Sequence, residues 1–175
     1  MSQTDAGLSQ SYVAVGAILP RWMLHQTALR DIFVALSHLT AHLAQRGGML
    51  FSGQIDALLA AYAFPLPVFL EERLFLVHSH DQASAILDSV RSSLSNRGVA
   101  RVRPNVTAVE LPRAGRYRVW VDWHEGAVPP DSSLLMQAIY YCRDTADGCQ
   151  IEMVNCTRLA LPGLNRQIEA LALTA

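Results

Sequence analysis

The sequence predicts an α+β domain in which N-terminal helices pack on an antiparallel sheet. Three observations carry this expectation. An amphipathic helical stretch comes first. A Pro-bracketed apolar run, YAFPLPVFLEERLFLVH, then leads into another amphipathic helix. Long alternating segments rich in aromatics, VRPNVTAVEL, RYRVWVDWHE, SLLMQAIYYCRD and CQIEMVNCTRL, fill the C-terminal part and read as an antiparallel meander.

Residues 1–10 are small and polar and read as a frayed tail; SYVAVGAILPRWML is apolar without clear period and reads as a strand or an arm. Leu29, Ile32, Phe33, Leu36, Leu39 and Leu43 recur at steps of three and four, which predicts a helix over 26–46 stopped by Gly47-Gly48. A short helix over about 54–62 follows, with Ile55, Leu58, Leu59 and Tyr62 as its buried stripe. Pro65 and Pro67 then force an extended chain, and Val68–Leu70 with Leu74–Val77 read as a hairpin around the EER sequence. Ser79 and Gln82 have capping-box spacing and open a helix that presents Ala83, Ile86, Leu87, Val90 and Leu94 on one face, with Gly98 past its end. Residues 1–24 thus form an N-terminal extension, 25–162 a single domain, and 163–175 a tail or short helix.

Composition bounds the function. The chain has 175 residues, enough for one domain with a real core. With a formal net charge of −1 it offers no bulk electrostatic attraction for nucleic acid or an anionic membrane. All 14 basic residues are Arg, scattered along the chain. No segment approaches the ~20 apolar residues that span a bilayer. MSQTDAGLSQ lacks the basic start of a signal peptide, and Cys142, Cys149 and Cys156 lack CxxC spacing, so a cytoplasmic protein with reduced thiols is expected.

In a meander, side-chain parity decides which residues face the helices. If PRAG turns the first pair so that Leu111 faces Arg116, Val106 opposes Val121, Ala108 opposes Val119 and Asn105 opposes Asp122. If TADG turns the last pair so that Asp144 faces Cys149, Tyr140 opposes Met153, Met136 opposes Thr157 and Tyr141 opposes Glu152. Val106, Ala108, Tyr117, Val119, Val121, Trp123, Leu134, Met136, Ala138, Tyr140, Ile151, Met153 and Asn155 then look inward. Within that face Tyr117, Trp123, Tyr140, Met153 and Asn155 are the candidate ligand-binding residues, because buried aromatics with a few polar tips suit a small apolar molecule. The plainer reading is that they fill the core. The opposite face mixes charge with apolar bulk in Arg118, Trp120, Asp122, Ile139, Tyr141, Val154 and Arg158. That is too much apolar surface to leave in water, so these residues are the candidate interface of a homodimer. Pro104 places its strand at an edge or at a bulge.

Two polar constellations could carry chemistry. Asp122, His124 and Arg103 share a sheet face, and a carboxylate-oriented His is a possible general base; a plain polar cluster is the simpler reading, since no concave site is indicated there. His38 with His42 and His78 with His80 would make a metal site only if the two pairs met, and solvated histidines are favoured. No metal and no cofactor are expected.

From Thr27 to Leu161 the layout resembles the nuclear transport factor 2-like (SnoaL-like) superfamily. The resemblance is carried by ALLAAYAFPLPVF, HDQASAILDSVRSSLSNRGV and IEMVNCTRLALPGL. It implies a strongly curved sheet wrapped on helices into a cone, an internal pocket, and often a dimer across the sheet. The isomerase-like members use a pocket Asp and a Tyr with a second acid. The inward face here offers no carboxylate in mid-strand, so one would have to come from a helix or loop, such as Asp31, Asp56 or Glu71. The combined expectation is a small-molecule-binding or accessory protein, leaning away from an enzyme. The alternative is a cofactor-independent isomerase, cyclase or dehydratase.

Overall fold

The computed structural model of the chain describes residues 21–110, 112–126, 133–146 and 148–173, with side chains from residue 37 onward. The expected N-terminal arm therefore lies outside the described residues, apart from its last few positions. The chain divides into two compact units, residues 1–35 and 36–175. The described part of the first is helical from Arg21 onward; everything below concerns the second.

The elements run α1 (Arg21–Ser52), α2 (Ile55–Leu59), β1 (Leu66–Leu70), β2 (Arg73–Val77), α3 (His80–Asn96), β3 (Val102–Val109), β4 (Arg116–Glu125), β5 (Leu134–Thr145), β6 (Gly148–Leu159) and α4 (Leu164–Leu173). The strands form one sheet in the order β2-β1-β6-β5-β4-β3. The meander β3 to β6 is antiparallel throughout, and β1 joins it parallel to β6, with Val68 beside Val154 and Leu70 beside Cys156. Pro104 sits on β3, the edge strand, where its missing N–H costs no ladder bond.

Local chemistry explains most of the boundaries. The β1–β2 hairpin turns on Glu71 and Glu72, both at positive φ (46° and 71°), which a tight two-residue turn demands of its central residues. Asn165 on α4 donates to the Glu71 carboxylate at 2.7 Å and helps hold that turn. Ser79 caps α3 by accepting from the Gln82 N–H at 3.2 Å; the Gln82 amide oxygen returns to the N–H of His78 rather than of Ser79. Gly98, at φ 77°, ends α3. Residues after Pro162 form the docked helix α4: Leu164 and Ile168 are buried, Gln82 donates to the Leu171 carbonyl, and Glu169 pairs with Arg73.

Gly47-Gly48 does not stop α1, which continues to Ser52 and ends before Gly53 at φ 73°. Gly47 is buried because the helix passes close to the sheet there. A Cβ on it would lie 2.9 Å from Val102 Cγ2 and 3.2 Å from Trp123 Cζ3, whereas one on exposed Gly48 would meet nothing within 4 Å.

The sheet is bent by four places where one strand carries an extra residue: Thr107 on β3, Leu135 on β5, and Glu152 and Thr157 on β6. Each resets the inward–outward alternation. On β4 the expected parity is seen, with Val119 and Val121 each 1% exposed and Trp123 buried. Val106 opposes Val121 and Asn105 opposes Asp122 as expected, but the Thr107 bulge puts Ala108 opposite Trp120, on the outer face. On β6 the expected register fails beyond Glu152. Asp144 does face Cys149, yet Tyr140 opposes Val154, Tyr141 opposes Met153, and Met136 opposes Leu159. Val154 and Cys156 are therefore buried inside, while Met153 and Asn155 pair with the outward Tyr141 and Ile139. The Thr157 bulge then returns Arg158 to the outer face opposite Gln137.

The two neighbouring glycines of α1 should respond oppositely to alanine. Gly48→Ala should stabilise by up to about 1 kcal/mol through helix propensity. Gly47→Ala should instead lower stability, because the stiff β-branched Val102 and the Trp123 ring cannot both yield. Urea unfolding midpoints of the two variants check this; equal shifts would show that the close approach is not enforced.

Candidate functional site

The inner face of the sheet and helices α1 to α4 line a partly open cavity of about 210 Å³. Its walls are aliphatic and aromatic. Leu43, Gly47 and Leu50 come from α1, Leu58 and Leu59 from α2, the Ala83–Leu94 face from α3, Leu164 and Ile168 from α4, and Trp123, Met136, Tyr140, Val154 and Cys156 from the sheet. Helical periodicity supplies the first set and the reset strand parity the last.

Among the described residues, one charged side chain lines it. Arg46 lies three residues after Leu43 and four before Leu50, so the turn of α1 that makes the apolar stripe also carries this guanidinium inside, 6% exposed. Its Nη2 donates to the Leu58 carbonyl at 3.1 Å, and its Cζ sits 4.8 Å from the centre of the Tyr62 ring. Burial raises the pKa of the Tyr62 hydroxyl, against the downward pull of the Arg46 charge and hydrogen bond. Trp123 Nε1 donates to the Tyr140 hydroxyl at 3.0 Å, and burial holds the Tyr140 proton on well above its ordinary range. Arg46, Tyr62, Trp123 and Tyr140 are thus the polar points of an otherwise apolar chamber.

Of the five expected ligand-binding residues, the structure brings Trp123 and Tyr140 to the cavity. Tyr117 faces inward but lies beyond the lining, opposite Cys142 and hydrogen-bonded to Cys149. Met153 and Asn155 are corrected to the outer face by the Glu152 bulge. For the same reason Val154, expected at the outer face, lines the cavity instead. The spacing of Arg46 between Leu43 and Leu50, on the same helix face, was the signal in the sequence that could have revealed it as part of the lining.

Arg118, Trp120, Asp122, Ile139, Tyr141 and Arg158 do share the outer face. Two of the charged groups, Arg118 and Asp122, have partners within the chain. Arg118 makes two hydrogen bonds to Glu110 at 2.7 and 2.9 Å while stacking 5.2 Å from the Trp120 ring centre. Gln137 donates to Asp122 at 2.9 Å, so Asp122 has Gln137 rather than His124 as its recorded partner, and the buried Nδ1 of His124 has none among the described residues.

No carboxylate lines the cavity among the described residues. Asp56 lies in the open beside His80 at 3.7 Å, Glu71 serves the hairpin turn, and the Asp31 side chain lies outside the described residues. Among the described residues, no three His, Cys, Asp or Glu side chains gather as a metal site. No helix there is long and apolar enough to cross a membrane.

The cysteines are free. Cys142 and Cys156 are both buried; Cys149 is half-buried. Hydrogen bonds from Cys142 and, to a smaller degree, from Tyr117 pull the Cys149 thiol below the ordinary cysteine range, while the same contact and burial push Cys142 up. A lowered pKa means that thiolate appears at lower pH. Iodoacetamide should therefore alkylate Cys149 at a pH where an ordinary thiol is still protonated. Cys142→Ala should move the midpoint of that profile upward, as read by mass-resolved labelling rates; an unmoved midpoint would remove Cys142 as the cause.

No family model matches the chain, and no curated protein matches its sequence. Solved structures do. A protein of unknown function from Mycobacterium tuberculosis aligns with TM-score 0.52 and 10% identity over 90% of this chain and 95% of that one. A nuclear transport factor 2-like protein of unknown function from Shewanella oneidensis aligns with TM-score 0.51 and 11% identity over 70% and 98%. A Nostoc punctiforme domain of unknown function with a cystatin-like fold aligns with TM-score 0.50 and 17% identity over 77% and 82%. At such identities the likeness is one of architecture: this chain has the nuclear transport factor 2-like, cystatin-like α+β fold.

Proposed function

We propose that the protein binds a compact, largely apolar small molecule inside the cone, working in the cytoplasm as a binding or accessory protein. The carrying observation is the cavity itself, about 210 Å³ among residues that otherwise pack as a core. Apolar walls that lack partner atoms forfeit packing contacts, and a bound apolar molecule would restore them. The volume is below the ~300–1,000 Å³ that accommodates drug-sized ligands, which favours a small guest. An isomerase or cyclase reading needs a base at the reacting carbon. The described lining supplies tyrosines and an arginine but no carboxylate or histidine, which supports binding over catalysis.

A second reading concerns assembly. Trp120, Ile139, Tyr141 and Met153 lie side by side across β4, β5 and β6, since Trp120 pairs with Ile139 and Tyr141 pairs with Met153. Two guanidiniums beside them, Arg118 and Arg143, are paired internally with Glu110 and Glu152. A surface with apolar bulk and such internally paired charges suits a second copy of the same chain, related by a two-fold axis.

Two measurements test these readings. Ala83→Leu, which projects into the cavity, should raise the melting temperature and abolish the thermal shift that 1-octanol gives the unmutated protein. A fall in stability by about 1–3 kcal/mol would instead mark an overpacked core and count against the cavity. Trp120→Asp should lower the sedimentation mass from dimer to monomer while leaving 1-octanol binding intact; an unchanged mass would sink the sheet-face dimer.

A further inference from the structure

We propose that Arg46 anchors the negatively charged head of the molecule held in the cavity, and that this molecule is a compact monocarboxylate with an apolar body. This rests on the binding reading above and specifies its chemistry. Arg46 is buried, yet no aspartate or glutamate among the described residues comes within ion-pair distance of it. Five exposed or half-exposed arginines, Arg73, Arg91, Arg116, Arg118 and Arg143, do each have a carboxylate within ion-pair distance. The charge inside the cone is thus placed where desolvation costs most and where the chain gives it only a carbonyl and a tyrosine in return.

A guanidinium carries five N–H donors in a planar fork that matches a carboxylate. One donor goes to the Leu58 carbonyl and Tyr62 takes another contact, which leaves donors for a guest. A second donor stands nearby. Indole N–H can only donate, so the Tyr140 hydroxyl acts as acceptor toward Trp123 and retains its own O–H for a further partner. No acceptor for that O–H is recorded among the described residues. Tyr140 also feels the Arg46 charge, which places the two in one electrostatic neighbourhood. A carboxylate accepting from Arg46 and Tyr140 would neutralise the buried cation and satisfy the free hydroxyl together. The remaining walls, from Ile86 and Leu87 to Val154, are hydrocarbon and select an apolar body. A neutral guest would leave the cation unpaired, and a dianion would bring in surplus charge.

Calorimetric titration of the full chain at neutral pH with octanoate, 1-octanol and acetate tests this. Octanoate should bind more tightly than 1-octanol, and acetate, which has the charge without the chain, should give no detectable heat. Arg46→Met, close in volume, should weaken octanoate at least roughly tenfold, the scale of a lost charge-assisted hydrogen bond, while 1-octanol changes by no more than about twofold. Tyr140→Phe should weaken octanoate by about fivefold, the scale of one hydrogen bond, and spare 1-octanol. If 1-octanol binds and octanoate does not, or if octanoate is indifferent to Arg46→Met, the anchor is refuted and the apolar-binding reading survives. If neither ligand binds, that reading falls as well. Should Arg46→Met fail to fold, the octanoate preference of the unmutated protein and the Tyr140→Phe response decide the matter.

Discussion

A single extra residue on β6 sets the interior of this protein. Glu152 has no opposite number on β5: Cys142 pairs with Ile151 and Tyr141 with Met153. Because side chains alternate, the insertion lets Ile151 and Val154 both face inward, three positions apart. β6 is central and must satisfy two neighbours, β5 antiparallel and β1 parallel, so the reset is read by both. It brings Val154 beside Tyr140 on one side and beside Val68 on the other, and all three belong to the cavity or the core around it. The bulged residue is tied down from outside. Its carboxylate meets Arg116 at 2.8 Å and Arg143 at 3.0 Å, and its pKa is lowered mainly by the Arg116 hydrogen bond. Each exposed pair contributes little alone, yet two guanidiniums on one carboxylate favour the outward placement of that residue over its neighbours.

This bulge also marks where the sequence stops being informative. On β4 the alternation Tyr117, Val119, Val121, Trp123 against Arg118, Trp120, Asp122 has one sensible burial, and the structure adopts it. On β6 the string IEMVNCTRL can be buried in two frames. Ile151, Met153 and Asn155 form one, and Val154 with Cys156 the other; each mixes apolar and polar groups about equally. Hydrophobic pattern cannot choose between them, because the choice is made by sheet curvature and by the second partner strand. The capping of α3 was legible for the opposite reason: Ser79, Gln82 and Gly98 act through local backbone bonds that need no tertiary information.

The candidate site was obscured by a different local rule overridden by packing. A Gly-Gly pair is a reasonable helix stop, and with α1 ending there Arg46 would stand at its C-terminus, an ordinary place for a cation. The helix continues because Gly47 is needed for closeness rather than for flexibility. Its missing Cβ leaves the space that Val102 and the Trp123 ring occupy. Propensity disfavours glycine in a helix interior by about 1 kcal/mol relative to alanine, a smaller term than the contacts made by two well-packed side chains.

That closeness links the glycine to the chemistry of the chamber. Gly47 seats α1 against the Trp123 ring; Trp123 donates to Tyr140; and the residue before Gly47 is Arg46. The backbone approach that shapes the wall therefore also fixes how deep the guanidinium enters and how the indole presents its N–H to the tyrosine. A bulkier residue at position 47 would push α1 outward and carry Arg46 toward water, relieving its desolvation and removing the charge that the described lining carries. Deep placement of that charge and dense packing of the helix on the sheet are consequences of the same missing methyl group. A chain selected only for a stable core would gain more from an apolar residue at position 46 than from a buried cation. Arginine at position 46, next to the glycine that seats α1 against Trp123, is accounted for by the proposed guest, whose carboxylate would meet a cation that the described residues leave without one.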